Sequence, residues 1–278
     1  MSVNWELEKK VSDSLDLLRR GEPLALAMNP EGGYYVAFSG GKDSQVMLDL
    51  VRRAGVKYTA WYAVTGNDAP ANVYFIREHY PEVRFYHPKE KFIQLVAKKG
   101  MPTTNMRFCC ERLKERVGGG CVVLTGVRAE ESRRRAKYGQ VDIYSRRKEH
   151  QGKDRKRTIE QVMEAEHQCL KGQDRLMVRP VFYYTEDDIW QYIYDRGLPV
   201  NPLYATCGRV GCMFCPFSNQ SQLDYYEKTY PKFKDAVIRA IGKHMAKKPD
   251  QPFKDAEQKY RWWRSHTTVE KFLASLEP

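Results

Sequence analysis

One short loop, Ser39-Gly40-Gly41-Lys42-Asp43-Ser44, constrains what this 278-residue chain can fold into. It follows an apolar run, Tyr34 to Phe38, which predicts a buried strand. It precedes Gln45 to Ala54, where apolar residues recur at helical spacing. A glycine pair between a strand and a helix lets backbone N–H groups approach an anion, and the helix N-terminus adds partial positive charge. The loop therefore predicts a phosphate site, with a plain solvated turn as the alternative.

The polar residues of the loop suit a nucleotide. Lys42 can neutralise phosphate charge, and the hydroxyls of Ser39 and Ser44 can donate hydrogen bonds to phosphate oxygens. Asp43 either caps the helix or helps to hold Mg²⁺. The spacing is not that of a Walker A loop, but it resembles the PP-loop of the adenine nucleotide alpha hydrolase superfamily. That resemblance implies binding of ATP or an adenylyl compound, with chemistry at the alpha phosphate.

Composition and charge fit a globular protein with an anionic partner. No apolar run approaches the ~20 residues that a membrane helix needs, and Met1 to Arg20 lacks the apolar segment of a signal peptide. We therefore expect no membrane contact and a cytoplasmic location. The net charge of +12, from 47 Lys and Arg against 35 Asp and Glu, fits a nucleotide, a nucleic acid or both.

Strands and helices alternate after the loop. Apolar runs at Tyr58 to Val64, Val83 to Tyr86 and Cys121 to Val127 read as strands separated by helical stretches. This alternation predicts an α/β fold with a doubly wound, mainly parallel sheet and a helical, basic C-terminal region. The expected segments are an N-terminal helix in 1–30, a nucleotide-binding domain in 31–217 with a basic insertion at about 128–157, and the helical region in 218–278.

Arginines follow the strand that ends near Val127. Arg128 comes directly after it and Arg133 five residues later, where planar guanidinium groups suit phosphate or sulfate. We expect Lys42 and Arg128 to act in catalysis and Arg133 to help bind the nucleotide, with a solvated charge run as the alternative. Residues 128–157 hold twelve Lys or Arg against five Asp or Glu, which predicts weak local structure.

Cysteine supplies the second candidate site. Seven cysteines in a chain expected in the cytoplasm favour metal or redox chemistry over disulfides. Cys109 and Cys110 are adjacent, and Cys207, Cys212 and Cys215 form the run Cys-x4-Cys-x2-Cys-Pro. These five compete for four places in a thiolate site. A [4Fe–4S] cluster is the first interpretation and zinc is the alternative.

Several motifs in order resemble the phosphoadenosine phosphosulfate (PAPS) reductase family, from about Tyr34 to Pro216. Besides the loop they are Cys109-Cys110-x2-Leu-Lys, Gly126-Val-Arg-x-Glu-Glu-Ser-x-Arg, Thr185-Glu-Asp-Asp-Ile-Trp-x-Tyr-Ile, Asn201-Pro-Leu-Tyr and Gly211-Cys-x2-Cys-Pro.

The resemblance implies a [4Fe–4S] cluster on Cys109, Cys110, Cys212 and Cys215. Cys207 is an addition to that pattern. Cluster-bearing relatives that transfer sulfur to nucleic acid use three clustered cysteines, so Cys207 can replace one of the vicinal pair. The predicted ligands are Cys110, Cys207, Cys212 and Cys215, with Cys109 as the competing ligand.

The resemblance also implies an activity, and one departure changes it. Sulfonucleotide reductases carry a catalytic cysteine in a C-terminal tail, whereas the last cysteine here is Cys215. We therefore expect an ATP-dependent, pyrophosphate-releasing enzyme that transfers sulfur, with Mg²⁺ and a sulfur-donor protein. The alternatives are a PAPS or adenylyl sulfate reductase that uses Cys207 or a partner's thiol, and a non-catalytic, cluster-bearing subunit that binds nucleic acid. Basic and aromatic residues are interleaved after Ser218, which suits a nucleic-acid acceptor, with an ordinary lysine-rich helix face as the alternative.

Overall fold

The computed structural model describes residues 4–114, 117–144, 158–164, 175–248 and 250–276. The chain divides into two compact units. The first comprises Met1–Tyr62, Tyr74–Tyr86 and Val117–Asn201, and the second comprises Ala63–Val73, His87–Arg116 and Pro202–Pro278. This division differs from the three consecutive segments expected from the sequence, because 31–217 contributes to both units.

The sheet has six strands: β1 (Tyr34–Ala37), β2 (Tyr58–Ala63), β3 (Arg84–Tyr86), β4 (Val122–Thr125), β5 (Val141–Tyr144) and β6 (Arg175–Val178), in the order β3-β2-β1-β4-β6-β5. Strand β1 lies parallel to β2 and β4, and β4 lies parallel to β6. Among the described strand pairs, only the edge strand β5 runs antiparallel to its neighbour, β6. The predicted α/β class with a mainly parallel sheet is confirmed.

The helices are α1 (Trp5–Met28), α2 (Lys42–Ala54), α3 (Pro70–His79), α4 (Phe92–Lys99), α5 (Phe108–Leu113), α6 (Ile159–Glu164), α7 (Glu186–Asp195), α8 (Leu203–Cys207), α9 (Gln220–Thr229), α10 (Pro231–Met245), α11 (Ala256–Ser265) and α12 (Val269–Ala274). Helix α1 lies within the segment 1–30 that was expected to hold an N-terminal helix. Helices α9 to α12 confirm the helical C-terminal region. In the described part of the chain no helix combines the length and apolar character needed to cross a membrane.

The core of the first unit explains why the loop is held firmly. Helix α2 is buried along nearly its whole length, including Val46, Leu48 and Leu50, and Gly55 ends it in the left-handed conformation at φ 71°. Strand β4 is apolar and buried, as a central parallel strand should be. The turn between β1 and α2 therefore joins two elements that are both anchored in the core.

A second apolar core organises the other unit. Helix α4 packs against α10, which brings Leu95 and Val96 into one buried cluster with Val237 and Ile241. Phe214, from the loop after α8, is fully buried in the same cluster. The segment with Cys212 and Cys215 is thus anchored by an apolar side chain between the two cysteines.

The basic insertion is more ordered than its composition suggested. Short 3₁₀ turns form at Ala129–Glu131 and Arg135–Lys137, and β5 then pairs with β6. The expectation of weak local structure is wrong for these residues, because Val141 is buried and Asp142 pairs with Arg179 at 3.6 Å. The rest of the predicted insertion, 145–157, lies outside the described residues.

Candidate functional site

The Ser39–Ser44 loop has the geometry of an anion cradle. Gly40 takes φ 76°, a left-handed conformation that a side chain would strain. Gly41 is the N-cap of α2 and provides no side chain to satisfy the first-turn N–H groups. Those groups and the helix dipole point toward the place where a phosphate would bind.

Hydrogen bonds within the loop fix its path. Ser44 Oγ donates to the Gly41 carbonyl at 2.8 Å and accepts from the Ser39 backbone N–H at 3.2 Å. Ser39 Oγ also donates to Ser44 Oγ at 3.0 Å. In this state the two serines therefore serve the loop itself, although both were predicted to bind phosphate.

Two amides and one glycine support the loop from neighbouring elements, and none of them was among the predicted site residues. Gln45 Nε2 and Asn201 Nδ2 both donate to the Gly40 carbonyl, at 3.2 and 3.0 Å. A Cβ on Gly126 would lie about 3 Å from the backbone of Asp43 and Ser44. Glycine at the end of β4 thus allows the close approach of strand and loop.

Arg128 lies at the centre of a charge cluster beside the loop. It is only 3% exposed, and its guanidinium contacts Asp43, Glu130 and Glu186. Burial alone would lower the pKa of Arg128, but these carboxylates raise it, so the side chain stays charged. The structure brings the predicted residue Arg128 to the loop, whereas the exposed Arg133 joins none of these contacts.

Lys42 contacts two of the same carboxylates. Its Nζ lies 3.2 Å from Asp43 Oδ2 and 3.2 Å from Glu186 Oε2. Asp43 uses one oxygen for Lys42 and the other for Arg128. This places Asp43 in ion pairs rather than in a helix cap, and its predicted role at Mg²⁺ stays a prediction.

Four cysteines line a small cavity in the second unit. Cys109 and Cys110 come from α5, and Cys212 and Cys215 come from the loop after α8. The cavity has a volume of about 30 Å³, and its wall also includes Lys114 and several apolar side chains. Hydrogen bonding to Cys110 and then burial raise the pKa of Cys109, and burial raises that of Cys212.

Asn67 and Lys114 hold this cavity together, and neither was among the predicted site residues. Asn67 is buried, donates from Nδ2 to the Phe214 carbonyl and accepts from the Phe214 N–H at Oδ1, both at 3.0 Å. Lys114 Nζ donates to Cys212 Sγ at 3.3 Å. A cation at this position stabilises negative charge on the sulfur.

Cys207 does not line the cavity. It is the last residue of α8, where Gly208 turns the chain in a left-handed conformation at φ 70°. Its thiol donates to the Leu203 carbonyl at 3.3 Å and lies 3.4 Å from the Tyr226 hydroxyl. The structure therefore groups Cys109, not the predicted Cys207, with the other three predicted ligands.

The four lining cysteines fit a thiolate-bound group in their chemistry. Iron–sulfur clusters and structural zinc both take four cysteines. Within the described ranges, no three His, Cys, Asp or Glu side chains already stand in a metal-coordinating arrangement. Binding would therefore require the thiols to lose protons and to turn toward a common centre.

A family model described as "Phosphoadenosine phosphosulfate reductase domain" matches residues 33–218. Among similar curated proteins, uncharacterized protein MJ0066 of Methanocaldococcus jannaschii is 26% identical over 211 residues, which is 71% of this chain and 39% of that protein. Sulfate adenylyltransferase subunit 2 of Shewanella frigidimarina is 25% identical over 225 residues, which is 73% of this chain and 68% of the relative.

One solved structure shares the fold. The FMN adenylyltransferase of Candida glabrata, in complex with FAD and inorganic pyrophosphate, superposes with a TM-score of 0.50 at 13% identity. The match covers 74% of this chain and 62% of the other. At this identity the likeness extends to the fold alone.

Proposed function

The chain belongs to the phosphoadenosine phosphosulfate reductase domain family, and on that premise we propose an enzyme of sulfur metabolism that binds ATP at the Ser39–Ser44 loop. ATP gives its adenylyl group to an acceptor oxygen and pyrophosphate leaves. Sulfur at the oxidation level of sulfide then takes the place of that oxygen, which departs with AMP. The observation that carries the proposal is the convergence of a glycine turn, a helix N-terminus, Lys42 and Arg128. One curated relative named for adenylyl transfer supports it.

The loop would act by stabilising charge. An acceptor oxygen forms a bond to the alpha phosphorus and loses its proton, while the bond from that phosphorus to the bridging oxygen breaks. Negative charge then accumulates on the departing pyrophosphate. Lys42, Arg128 and the first-turn N–H groups of α2 are the donors placed to receive it. Mg²⁺ bound with the nucleotide would neutralise further phosphate charge.

The cysteine cavity would hold the second cofactor. We propose Cys109, Cys110, Cys212 and Cys215 as its ligands, because these four line one cavity and Cys207 does not. A [4Fe–4S] cluster would supply redox and sulfur chemistry there, and zinc is the alternative. Lys114 would stabilise the charged thiolate of Cys212.

A sulfonucleotide reductase is the second candidate, favoured by the family description itself. In that reaction a thiol attacks the sulfonyl sulfur and the nucleotide leaves, so a thiol outside the four ligands is required. Cys207 is the candidate, since it is partly exposed and lies outside the cavity. Sulfite from PAPS or adenylyl sulfate would identify this activity, whereas pyrophosphate from ATP identifies the first.

We propose a nucleic acid as the acceptor, and the charge of the second unit supports it. That unit carries 21 Lys and Arg against 12 Asp and Glu, while the first carries 26 against 23. On α10, Lys232, Arg239 and Lys243 lie at intervals of seven and four residues, which places them on one helical face. All three are exposed. A row of cations of this kind suits a phosphate backbone.

A protein that delivers sulfur is the other proposed partner, and one relative is itself named as a subunit.

Neutralising this face should weaken nucleic-acid binding. The variant K232A/R239A/K243A is expected to lower the slope of log affinity against log salt by about 2 for single-stranded RNA. The matched control, K9A/K57A/R77A, removes three exposed cations of the first unit. Titration of a labelled RNA at several salt concentrations measures both slopes. Equal slopes for the two variants would remove the proposed acceptor site, and tight binding without turnover would favour the non-catalytic alternative.

Removing the loop cation tests the nucleotide site. Lys42→Ala is expected to reduce pyrophosphate release from ATP by about 100-fold, because a preorganised cation at the phosphates is lost. Lys9→Ala removes an exposed lysine from α1 and serves as the control. Pyrophosphate is measured with an enzyme-coupled assay in the presence of bulk RNA and inorganic sulfide. Wild-type rates in Lys42→Ala would argue against ATP chemistry at this loop.

A further inference from the structure

Glu186 occupies a place between the two cations of the loop. It is the first residue of α7, and one of its oxygens, Oε2, contacts both Lys42 Nζ and the Arg128 guanidinium. Its other oxygen, Oε1, accepts a hydrogen bond from Trp190 Nε1 at 3.0 Å. A single anionic oxygen shared by a lysine and an arginine is the arrangement that a phosphate oxygen would adopt.

The two cations beside the loop are already more than neutralised without a nucleotide. Lys42 and Arg128 face the three carboxylates of Asp43, Glu130 and Glu186. A polyphosphate that added its own charge would meet repulsion unless a carboxylate moved away.

Glu186 is the carboxylate best able to leave. The Asp43 side chain is 19% exposed and is anchored in α2, where it uses a separate oxygen for each cation. The Glu186 side chain is 49% exposed, so its carboxylate regains water readily when it moves. Glu130, at 51% exposure, is held by the Glu186 backbone N–H at 2.6 Å and does not contact Lys42 through any described ion pair.

We propose that the Glu186 carboxylate stands in for a phosphate oxygen in the nucleotide-free protein and is displaced when a nucleotide phosphate binds. This inference rests on the proposed binding of a nucleotide at the same loop. The carboxylate keeps both cations in position. Every anion that binds there must first displace it, which lowers the affinity for all anions alike. A single phosphate only replaces the contacts that Glu186 makes with the two cations. Pyrophosphate or a nucleotide polyphosphate makes additional contacts and therefore still binds. Glu186 would therefore be a positioning residue that favours polyphosphates.

The electrostatics of Glu186 agree with this role. Burial alone would raise the pKa of its carboxyl, but the charge and hydrogen bond of Lys42 and the charge of Arg128 hold the pKa below its usual value. The side chain is thus an anion near neutral pH, as a competitor of phosphate must be.

Charge removal at this position should strengthen anion binding. Glu186→Gln keeps the shape of the side chain but leaves the cations without this competitor, and we expect it to bind inorganic pyrophosphate about tenfold more tightly than wild type. Asp187→Asn is the matched control, because it removes one exposed negative charge from the same helical turn. It should change the affinity by less than about twofold. Calorimetric titration with pyrophosphate measures all three proteins.

Trp190 reports the displacement directly. Pyrophosphate is expected to change the tryptophan emission of the wild-type protein, because the hydrogen bond from Trp190 to Glu186 breaks. Trp190→Phe should bind pyrophosphate but lose this change in emission. A purely structural role for Glu186 predicts the opposite pattern, in which Glu186→Gln binds pyrophosphate no more tightly than Asp187→Asn and unfolds more readily. That result, or a wild-type emission unaffected by bound pyrophosphate, would overturn the proposal.

Different results would contradict the displacement of Glu186 and the proposed enzymatic activity. Tighter pyrophosphate binding by Glu186→Gln, without pyrophosphate release from ATP by the wild type, would keep the displacement and remove the proposed activity. Release of pyrophosphate from ATP, with unchanged affinity in Glu186→Gln, would keep the activity and remove the displacement.

Discussion

Arg128→Ala is expected to lose both nucleotide chemistry and stability. Arg128 is 3% exposed and neutralises Asp43, Glu130 and Glu186, so its removal leaves these carboxylates facing one another with only Lys42. Loss of a buried partner of this kind costs about 3–5 kcal/mol, and the partial exposure of the carboxylates reduces this to about 2 kcal/mol. Pyrophosphate release from ATP should fall by about 100-fold. Urea unfolding and the pyrophosphate assay measure the two effects.

Two further variants separate charge from shape. Arg128→Lys keeps the positive charge but cannot contact three carboxylates at once, so it should regain part of the stability and little of the rate. Arg134→Ala removes an exposed arginine from the same segment and should behave as wild type. If Arg128→Ala unfolds at the same urea concentration as the wild type, the buried charge cluster does not stabilise the fold.

Cys212→Ser is expected to abolish retention of the second cofactor. Cys212 lines the cavity with the other three cysteines, receives a hydrogen bond from Lys114, and belongs to a loop anchored by Phe214. A serine hydroxyl is a poor ligand for iron or zinc in a thiolate site. Protein prepared without oxygen should contain iron and acid-labile sulfide and show a visible spectrum, and Cys212→Ser should lack all three. A colourless wild-type protein that contains one zinc would show that the site binds zinc and not an iron–sulfur cluster.

Two cysteine controls test the ligand set. Cys121 donates to the Gly119 carbonyl outside the cavity, so Cys121→Ser should keep full cofactor content. Cys207→Ser should also keep it, while Cys109→Ser should lose it. Loss in Cys207→Ser with retention in Cys109→Ser would restore the ligand set predicted from the sequence.

The loop was predictable because its information is local. Strand, glycine turn and helix follow one another within about 20 residues, and each has a strong preference that agrees with the others. The same reasoning placed Arg128 just beyond a central strand, and β4 ends at Thr125, slightly earlier than expected. Glu186 was recognised only as part of the motif that begins at Thr185, since nothing in local spacing indicates that it contacts an arginine 58 residues earlier.

The cysteine site shows the limit of spacing more clearly. Five cysteines were candidates, and the resemblance to relatives with three clustered cysteines favoured Cys207 over Cys109. The structure separates them because α8 ends at Cys207 and the following Gly208 turns the chain, which directs this thiol to Tyr226. Asn67, which pairs with the backbone of Phe214, carries no sequence signal of its own. Strand β5 was not predicted either. It has only four residues, one of which is Asp142, and many charged residues flank it in the sequence.

The identity of the leaving group tests the central claim most directly. Protein prepared without oxygen is incubated separately with ATP and with PAPS, in the presence of bulk RNA, inorganic sulfide and Mg²⁺, and pyrophosphate and sulfite are measured in each reaction. Adenylyl transfer at the Ser39–Ser44 loop predicts pyrophosphate from ATP, no sulfite from PAPS, and loss of the pyrophosphate signal in Lys42→Ala. Sulfite from PAPS without pyrophosphate from ATP would contradict this account and identify a reductase.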